Sequence, residues 1–142
     1  MPQSDDPRTA QAGDTLPTFV RETGLDNWNR YAAVNYEFVP IHMDDEAGRA
    51  AGYPSAFGMG NLQWAYLHNL LRAWLGDAGR IRKVGVQYRG ANVKGQTVTA
   101  QGVVTAVRDA PTGRTLELEV WTETQTSEKL ARGQATVVLN PS

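Results

Sequence analysis

The chain has 142 residues, of which 41% are hydrophobic and 20% are charged, and this fits one domain with a single core. It contains no cysteine, which excludes disulfide bonds, thiolate metal sites and a cysteine nucleophile. The net charge is only −1 and there are two histidines. These counts argue against a nucleic-acid partner and against a multi-histidine zinc site.

The first residues of the chain carry little structural signal. Residues 1–13 are polar, contain two prolines and show no hydrophobic periodicity, so we expect a flexible leader followed by one domain over residues 14–142. No apolar run approaches the roughly 20 residues that cross a bilayer. We therefore expect a cytoplasmic protein with no membrane partner.

The first third of the domain combines short elements with a long loop. A β-rich run over residues 16–22 predicts an edge strand, and apolar spacing over residues 25–33 predicts a short amphipathic helix. Residues 35–60 form a loop-rich passage that contains one short helix at 44–51. Because loops this long in compact domains often carry function, we look there first for a site.

The rest of the chain predicts one buried helix followed by a sheet. Residues 61–75 are apolar around almost the whole helix circumference, which is typical of a helix buried on nearly all sides. A turn at 111–113 separates two of the strands that follow. The fold class is therefore α+β, a curved antiparallel sheet wrapped around a long central helix. The four later strands are predicted at residues 80–88, 97–107, 115–124 and 129–139.

Two features of the loop passage are able to carry chemistry. Glu37 and His42 lie five residues apart with Pro40 between them, and in an extended loop such a pair can converge on one water for acid–base work. Gly58 and Gly60 precede the buried helix, whose unpaired N–H groups suit a developing negative charge. The alternatives are a structural or solvated Glu–His pair and glycines that only permit a tight turn.

Four segments in the same order resemble the MaoC-like (R)-specific enoyl-CoA hydratases and dehydratases. Glu37–Asp44 resembles that family's Asp-x-Asn-Pro-x-His-x-Asp motif. The second segment, Gly52-Tyr53-Pro54 followed by Gly58-Met59-Gly60, is similar to the family's Gly-Phe-Pro…Ala-His-Gly. The third, residues 89–98, resembles Arg-x-Pro-Val-x-Pro-Gly-Asp-Thr-Leu. The fourth, Gly133-Gln134-Ala135, resembles Gly-x-Ala. The resemblance spans roughly residues 14–140.

The resemblance implies a hotdog fold and a hydro-lyase that adds water to a trans-2-enoyl thioester, or removes it from the 3-hydroxyacyl product. The substrate is a thioester of CoA or of acyl carrier protein, so no separate cofactor is implied. His42 would be the general acid/base, Glu37 would hold and help activate the water, and the Gly60 N–H would polarise the thioester carbonyl. Arg89 and Lys94 would contact the CoA phosphates. The acyl tunnel at the subunit interface implies a homodimer or a dimer of dimers.

Departures from the motifs leave a second interpretation open. Glu37 stands where the family has Asp, Val39 replaces Asn, Met59 replaces His and Gln96 replaces Asp. In this second interpretation, the chain is a non-catalytic subunit that pairs with a catalytic MaoC-like homologue and shapes the acyl pocket of that homologue. A hotdog thioesterase is a weaker alternative because residues 61–75 contain no carboxylate. His68, within that helix, is interpreted as a packing histidine.

Overall fold

The computed structural model describes residues 2–141, which form one antiparallel sheet around a long helix. The sheet has five strands in the order β1-β3-β4-β5-β2, and each neighbouring pair is antiparallel. This arrangement confirms the predicted α+β class. The strands are β1 (Phe19–Glu22), β2 (Gly79–Tyr88), β3 (Thr97–Ala110), β4 (Gly113–Thr124) and β5 (Lys129–Leu139).

Local side-chain hydrogen bonds mark the beginnings of the first two α-helices. Asp44 accepts from the backbone N–H groups of Glu46 and Ala47, which starts the short second helix, and Asn27 accepts from the backbone N–H of Gly24 ahead of the first. The first helix ends at Tyr36, which has a left-handed φ of 55°. The elements are α1 (Leu25–Asn35), a 3₁₀ turn (Pro40–His42), α2 (Asp45–Ala50) and α3 (Gly60–Leu75).

The core forms where α3 packs against the inner face of the sheet. Burial alternates along β4, so that Leu116, Leu118 and Val120 face inward with at most 1% of their surface exposed. Leu67 and Leu71 of α3 are fully buried against this face. Burying each such side chain stabilises the fold by about 1.5–3 kcal/mol.

The exposure of α3 differs from the prediction at two neighbouring positions. Trp64 is 41% exposed, whereas the polar Gln63 is only 3% exposed. The prediction treated the apolar residues as a continuous surface, but one stripe of α3, with Asn61 and Arg72, faces outward. Within residues 2–141, no helix combines the length and the apolar character needed to cross a membrane.

The segment expected to be a flexible leader is packed on the domain, so that expectation is corrected for residues 2–13. Ala10 is fully buried within the hydrophobic core, and the Trp74 indole N–H donates to the Ser4 carbonyl at 2.9 Å. Arg114 donates to the Arg8 carbonyl at 2.7 Å. The polar composition concealed this packing because backbone carbonyls, rather than apolar side chains, make most of these contacts.

We expect alanine to destabilise the fold strongly at one glycine of the β2–β5 contact and hardly at all at another. A Cβ at Gly133 would lie 1.8 Å from the carbonyl oxygen of Gly85, whereas a Cβ at Gly85 meets nothing within 4 Å. Gly133→Ala should therefore lower the free energy of unfolding by at least about 2 kcal/mol. Gly85→Ala should change it by less than about 0.5 kcal/mol. Urea unfolding of both variants tests this, and equal effects would contradict the strand register.

Candidate functional site

An open cleft of about 660 Å³ lies at the N-terminus of α3. Its wall is formed by the first turn of α3, the end of β2, and the loops on either side of the Phe57–Val93 bridge. Gly60 and Arg89 belong to this wall, and so do Tyr88, Gln63 and Asn92. Among residues 2–141, the lining includes neither Glu37 nor His42, so the structure does not bring these two predicted residues into the wall of this cleft.

His42 is held in a single orientation beside the cleft. The side chain is 8% exposed, and its Nδ1 lies 2.6 Å from the carbonyl oxygen of Phe57, a residue of the cleft wall. A carbonyl oxygen only accepts, so Nδ1 carries the proton and donates it. Nε2 of the neutral ring is then unprotonated. His42 is therefore in the tautomer that a general base at Nε2 requires.

The 3₁₀ turn fixes the backbone around this histidine. Pro40 occupies the first position of the turn, where its fixed φ is favourable and its missing N–H costs nothing. The backbone N–H of Phe57 donates to the carbonyl of Ile41 at 3.1 Å. The loop that carries His42 and the loop that lines the cleft are thus joined by two hydrogen bonds, one through the backbone and one through the imidazole.

Glu37 is half-buried just beyond the C-terminus of α1. The left-handed turn at Tyr36 reverses the chain, and the Glu37 N–H donates to the carbonyl of Ala32 at 3.0 Å. Burial raises the pKa of Tyr88, and the negative charge of Glu37 raises it further. The same two causes raise the pKa of Tyr31. The Glu37 carboxylate therefore acts electrostatically on a phenol of the cleft wall.

Gly60 contacts the aromatic ring of Tyr88. A Cβ at position 60 would lie 3.0 Å from the Tyr88 ring, so a larger residue would push this ring away. The Tyr88 hydroxyl donates to Asn61 Oδ1 at 3.3 Å. The first turn of α3 contains no acidic residue, so its positive dipole end is not neutralised locally. Free N–H groups at such an end suit an oxyanion.

The two predicted phosphate contacts have different surroundings. Arg89 is exposed at the rim of the cleft, where its guanidinium donates to Gln87 Oε1 at 2.7 Å. Lys94 instead forms an ion pair with Asp45, with 2.5 Å between Nζ and Oδ2. The Asp45 carboxylate also accepts from the Ala56 N–H at 3.1 Å. Lys94 therefore ties α2 to the loop before β3, and a role in binding CoA stays a prediction.

Sequence reasoning missed three residues that line this cleft: Gln63, Tyr88 and Asn92. Asn92 is 2% exposed and lies at the centre of a buried hydrogen-bond network with Thr23, Gln96 and Gln63. The only signal in the sequence was one glutamine close to the start of the predicted buried helix. Convergence of Glu37 and His42 on one water stays a prediction. Over the described part of the chain, no three His, Asp or Glu side chains are grouped so that they could hold a metal ion.

We expect the Asp45–Lys94 pair to stabilise the fold only above acidic pH. The Lys94 hydrogen bond, together with the bond from the Ala56 N–H, lowers the pKa of Asp45 below its ordinary value. The unfolded chain therefore binds the proton first as the pH falls, and the stabilisation is lost as the pH drops through the folded pKa. Between about pH 5 and pH 3, the melting temperature of Asp45→Asn should fall less than that of the wild type.

The control for this prediction is Asp26→Asn, which removes one negative charge from the exposed side of α1. Its melting temperature should follow the wild-type curve over the same pH range. Lys94→Met should reproduce the flatter curve of Asp45→Asn because it removes the partner. Parallel curves for the wild type and Asp45→Asn would show that the ion pair contributes no pH-dependent stability.

Solved structures similar to this chain include hydratases and dehydratases. An (R)-hydratase from A. caviae involved in PHA biosynthesis is 22% identical, with 93% of this chain and 98% of that chain covered and a TM-score of 0.83. The ChsH1–ChsH2 complex from Mycobacterium tuberculosis is 18% identical, with 93% and 100% covered and a TM-score of 0.82. A MaoC-like dehydratase from Rhodospirillum rubrum is 17% identical, with 96% and 97% covered and a TM-score of 0.83.

No family model matches the sequence, and no curated protein matches it. Because the three structural neighbours are all below 25% identity, the comparison establishes the fold and not the activity. The described fold matches these neighbours over nearly the whole chain. The chain therefore has the hotdog fold that the MaoC-like dehydratases and (R)-hydratases share.

Proposed function

We propose that this chain is a MaoC-like hydro-lyase that adds water to a trans-2-enoyl thioester of CoA or acyl carrier protein, or catalyses the reverse dehydration. The observation that carries the proposal is the imidazole of His42. Its Nδ1 is fixed by the Phe57 carbonyl at 2.6 Å, beside a cleft that also contains the Gly60 end of α3. Addition of water to a conjugated thioester requires a base close to an oxyanion site, and His42 is bonded to a residue of the wall that also contains Gly60.

Each step of the hydration has a residue to perform it. The thioester carbonyl oxygen accepts from the Gly60 N–H, which stabilises the enolate that forms when the β-carbon is attacked. Nε2 of His42 removes a proton from water as the water oxygen bonds to the β-carbon, and Glu37 holds that water. The protonated Nε2 of His42 then gives this proton to the α-carbon, which restores the carbonyl, leaves the 3-hydroxyacyl thioester and returns His42 to its neutral form. Dehydration follows the same path backwards.

Arg89 is the better candidate for binding the phosphates of CoA. It lies exposed at the rim of the cleft, and among residues 2–141 its guanidinium is hydrogen-bonded only to the neutral side chain of Gln87. Guanidinium groups bind phosphate through paired N–H donors. Lys94 contributes less in this proposal because its charge is already paired with Asp45.

We expect His42→Gln to lower kcat for hydration of crotonyl-CoA or a longer enoyl-CoA by at least about 100-fold, since it removes the base. The matched control is His68→Gln. His68 lies within α3, with its Nδ1 3.0 Å from the Trp64 carbonyl, and its replacement should change kcat less than about threefold. Absorbance of the conjugated thioester measures both rates. Retained activity in His42→Gln would remove the histidine from the mechanism.

A non-catalytic subunit is the second candidate function, and one surface favours it. The segment around the Glu37 turn exposes four large apolar side chains, and two of these, Tyr36 and Phe38, pack edge to face with centroids 5.6 Å apart. Exposed apolar patches of this kind mark protein interfaces. One neighbour in fold, the ChsH1–ChsH2 complex, is an assembly. The four exposed residues are Val34, Tyr36, Phe38 and Val39.

We expect Tyr36→Ser with Phe38→Ser to shift the purified protein towards the monomer, because the double change removes the exposed aromatic pair. The control is Val20→Ser, at a 45% exposed position on β1 away from this segment. Light scattering after size-exclusion chromatography measures the mass of each variant. The wild-type chain could also be inactive alone and form an active enzyme only when a homologue is co-expressed. That result would favour the non-catalytic subunit over the hydro-lyase.

A further inference from the structure

A second cavity lies on the outer face of the sheet, across strands β2, β5 and β4. Its volume is about 840 Å³, which is within the range of small-molecule binding sites. Gly85 leaves a gap in this face, since it has no side chain and a Cβ there would meet nothing within 4 Å. Lys83 and Gln87 project on either side of the gap, because alternate residues of a strand share a face. We call this cavity the outer groove.

The strand register brings three side chains of the outer groove together. Arg132 on β5 is paired with Gln87 on β2 and with Trp121 on β4. Neighbouring strands are about 4.8 Å apart, so the Arg132 side chain stands beside that of Trp121. The Lys129 Nζ lies 5.1 Å from the centroid of the Trp121 ring. Arg132, Lys129 and Trp121 therefore form a cluster of two cations and one aromatic ring.

The outer groove has an excess of positive charge. Four cationic side chains line it, and within residues 2–141 none of the four forms an ion pair. The carboxylate of Glu117 is already bonded, to Arg108 at 2.9 Å and to the Thr136 hydroxyl at 2.6 Å. Glu119 is the one other carboxylate of the described lining, in a chain whose net charge is −1. This balance favours a ligand with several negative charges. The four cations are Lys83, Arg89, Lys129 and Arg132.

Arg89 joins the outer groove to the cleft at the N-terminus of α3, because it lines both cavities. A ligand that extends from Gly60 past Arg89 therefore enters the outer groove. In the proposed function the thioester carbonyl lies at Gly60, and the carrier of the acyl group must extend out of the cleft. The shared arginine gives the far end of this carrier a cavity lined by cations.

From these observations we infer that the outer groove binds the nucleotide end of CoA, which is adenosine with a 3′-phosphate and a 5′-diphosphate. Arg132 and the other cations bind the phosphates, and the adenine packs against the indole of Trp121. A protein with an acidic surface would match the positive charge as well, but it brings no planar base to Trp121. The inference rests on the proposed function for the position of the thioester, and it assigns CoA rather than a carrier protein as the carrier of the acyl group.

The test compares the binding of two saturated thioesters, which have no double bond to hydrate. Calorimetry with the purified full chain measures Kd for butanoyl-CoA and for butanoyl-pantetheine, which lacks the nucleotide. We expect butanoyl-CoA to bind at least about tenfold more tightly, because only this thioester reaches the outer groove. Adenosine 3′,5′-bisphosphate should compete with butanoyl-CoA and leave the Kd of butanoyl-pantetheine unchanged. Equal Kd values for the two thioesters would overturn the inference.

Arg132→Gln tests the location of the nucleotide, and Arg80→Gln is the matched control. Arg80 is an exposed arginine of β2 that does not line the outer groove. Arg132→Gln should raise the Kd of butanoyl-CoA at least about fivefold, because it removes a phosphate contact, and should leave that of butanoyl-pantetheine unchanged. The control should change neither Kd value.

Gly85→Leu tests the groove by shape instead of charge, because the new side chain fills the gap in β2. It should raise the Kd of butanoyl-CoA and leave that of butanoyl-pantetheine unchanged. Circular dichroism checks the fold of each variant, and Arg132→Gln decides alone if Gly85→Leu does not fold. An unchanged Kd of butanoyl-CoA in the folded groove variants would place the nucleotide elsewhere and contradict the inference.

The outcomes separate this inference from the proposed function. Equal kcat/KM for hydration of crotonyl-CoA and crotonyl-pantetheine, without nucleotide binding, supports the proposed function and overturns the inference. Nucleotide-dependent binding by a chain that hydrates neither thioester supports the inference and contradicts the catalytic function. Pyrophosphate that competes as strongly as adenosine 3′,5′-bisphosphate would show a charged patch without a site for the base, and this result also overturns the inference.

Discussion

The backbone at Phe57 and Gly58 is the constraint on which the candidate site depends. The Phe57 N–H and carbonyl are both bonded to the loop that carries His42, and the Gly58 N–H donates to the Asn92 carbonyl at 2.7 Å on the other side. There is no room for a side chain at Gly58, since a Cβ there would lie 2.7 Å from the Trp28 indole nitrogen. Phe57 and Gly58 therefore position the His42 imidazole, and they also anchor the buried polar network around Asn92. The chain continues from them directly into α3.

The polar network gives this core a specificity that apolar packing alone would lack. Asn92 uses its amide to donate to Thr23 and Gln96, and its carbonyl oxygen orients Gln63. A buried network of this kind tolerates one arrangement, because any flipped amide would place two acceptors or two donors together. The loop before β3 is thereby held in a single position against α3. Rigid support of this type is what a binding cleft needs from the residues behind it.

The candidate catalytic residues differ in how firmly the described chain holds them. His42 is buried and bonded, whereas Glu37 follows a strained left-handed tyrosine on a surface that exposes Phe38 and other apolar groups. A non-glycine residue in the left-handed region costs free energy and persists where surrounding contacts support it. An interface over this surface would supply such contacts. Under the proposed function, such an interface would also support the position of Glu37.

The sequence by itself determined the class and order of the elements and the glycine-led start of the buried helix, since hydrophobic periodicity and turn residues act locally. It also made His42 a candidate, through its spacing of five residues from Glu37 with Pro40 between them. Only the tertiary structure showed that residues 2–13 pack on the core, that Lys94 is paired with Asp45, and that Gln63 is buried while Trp64 is exposed. These depend on partners far apart in the chain, and a buried glutamine is stable only where a distant residue such as Asn92 accepts its hydrogen bond.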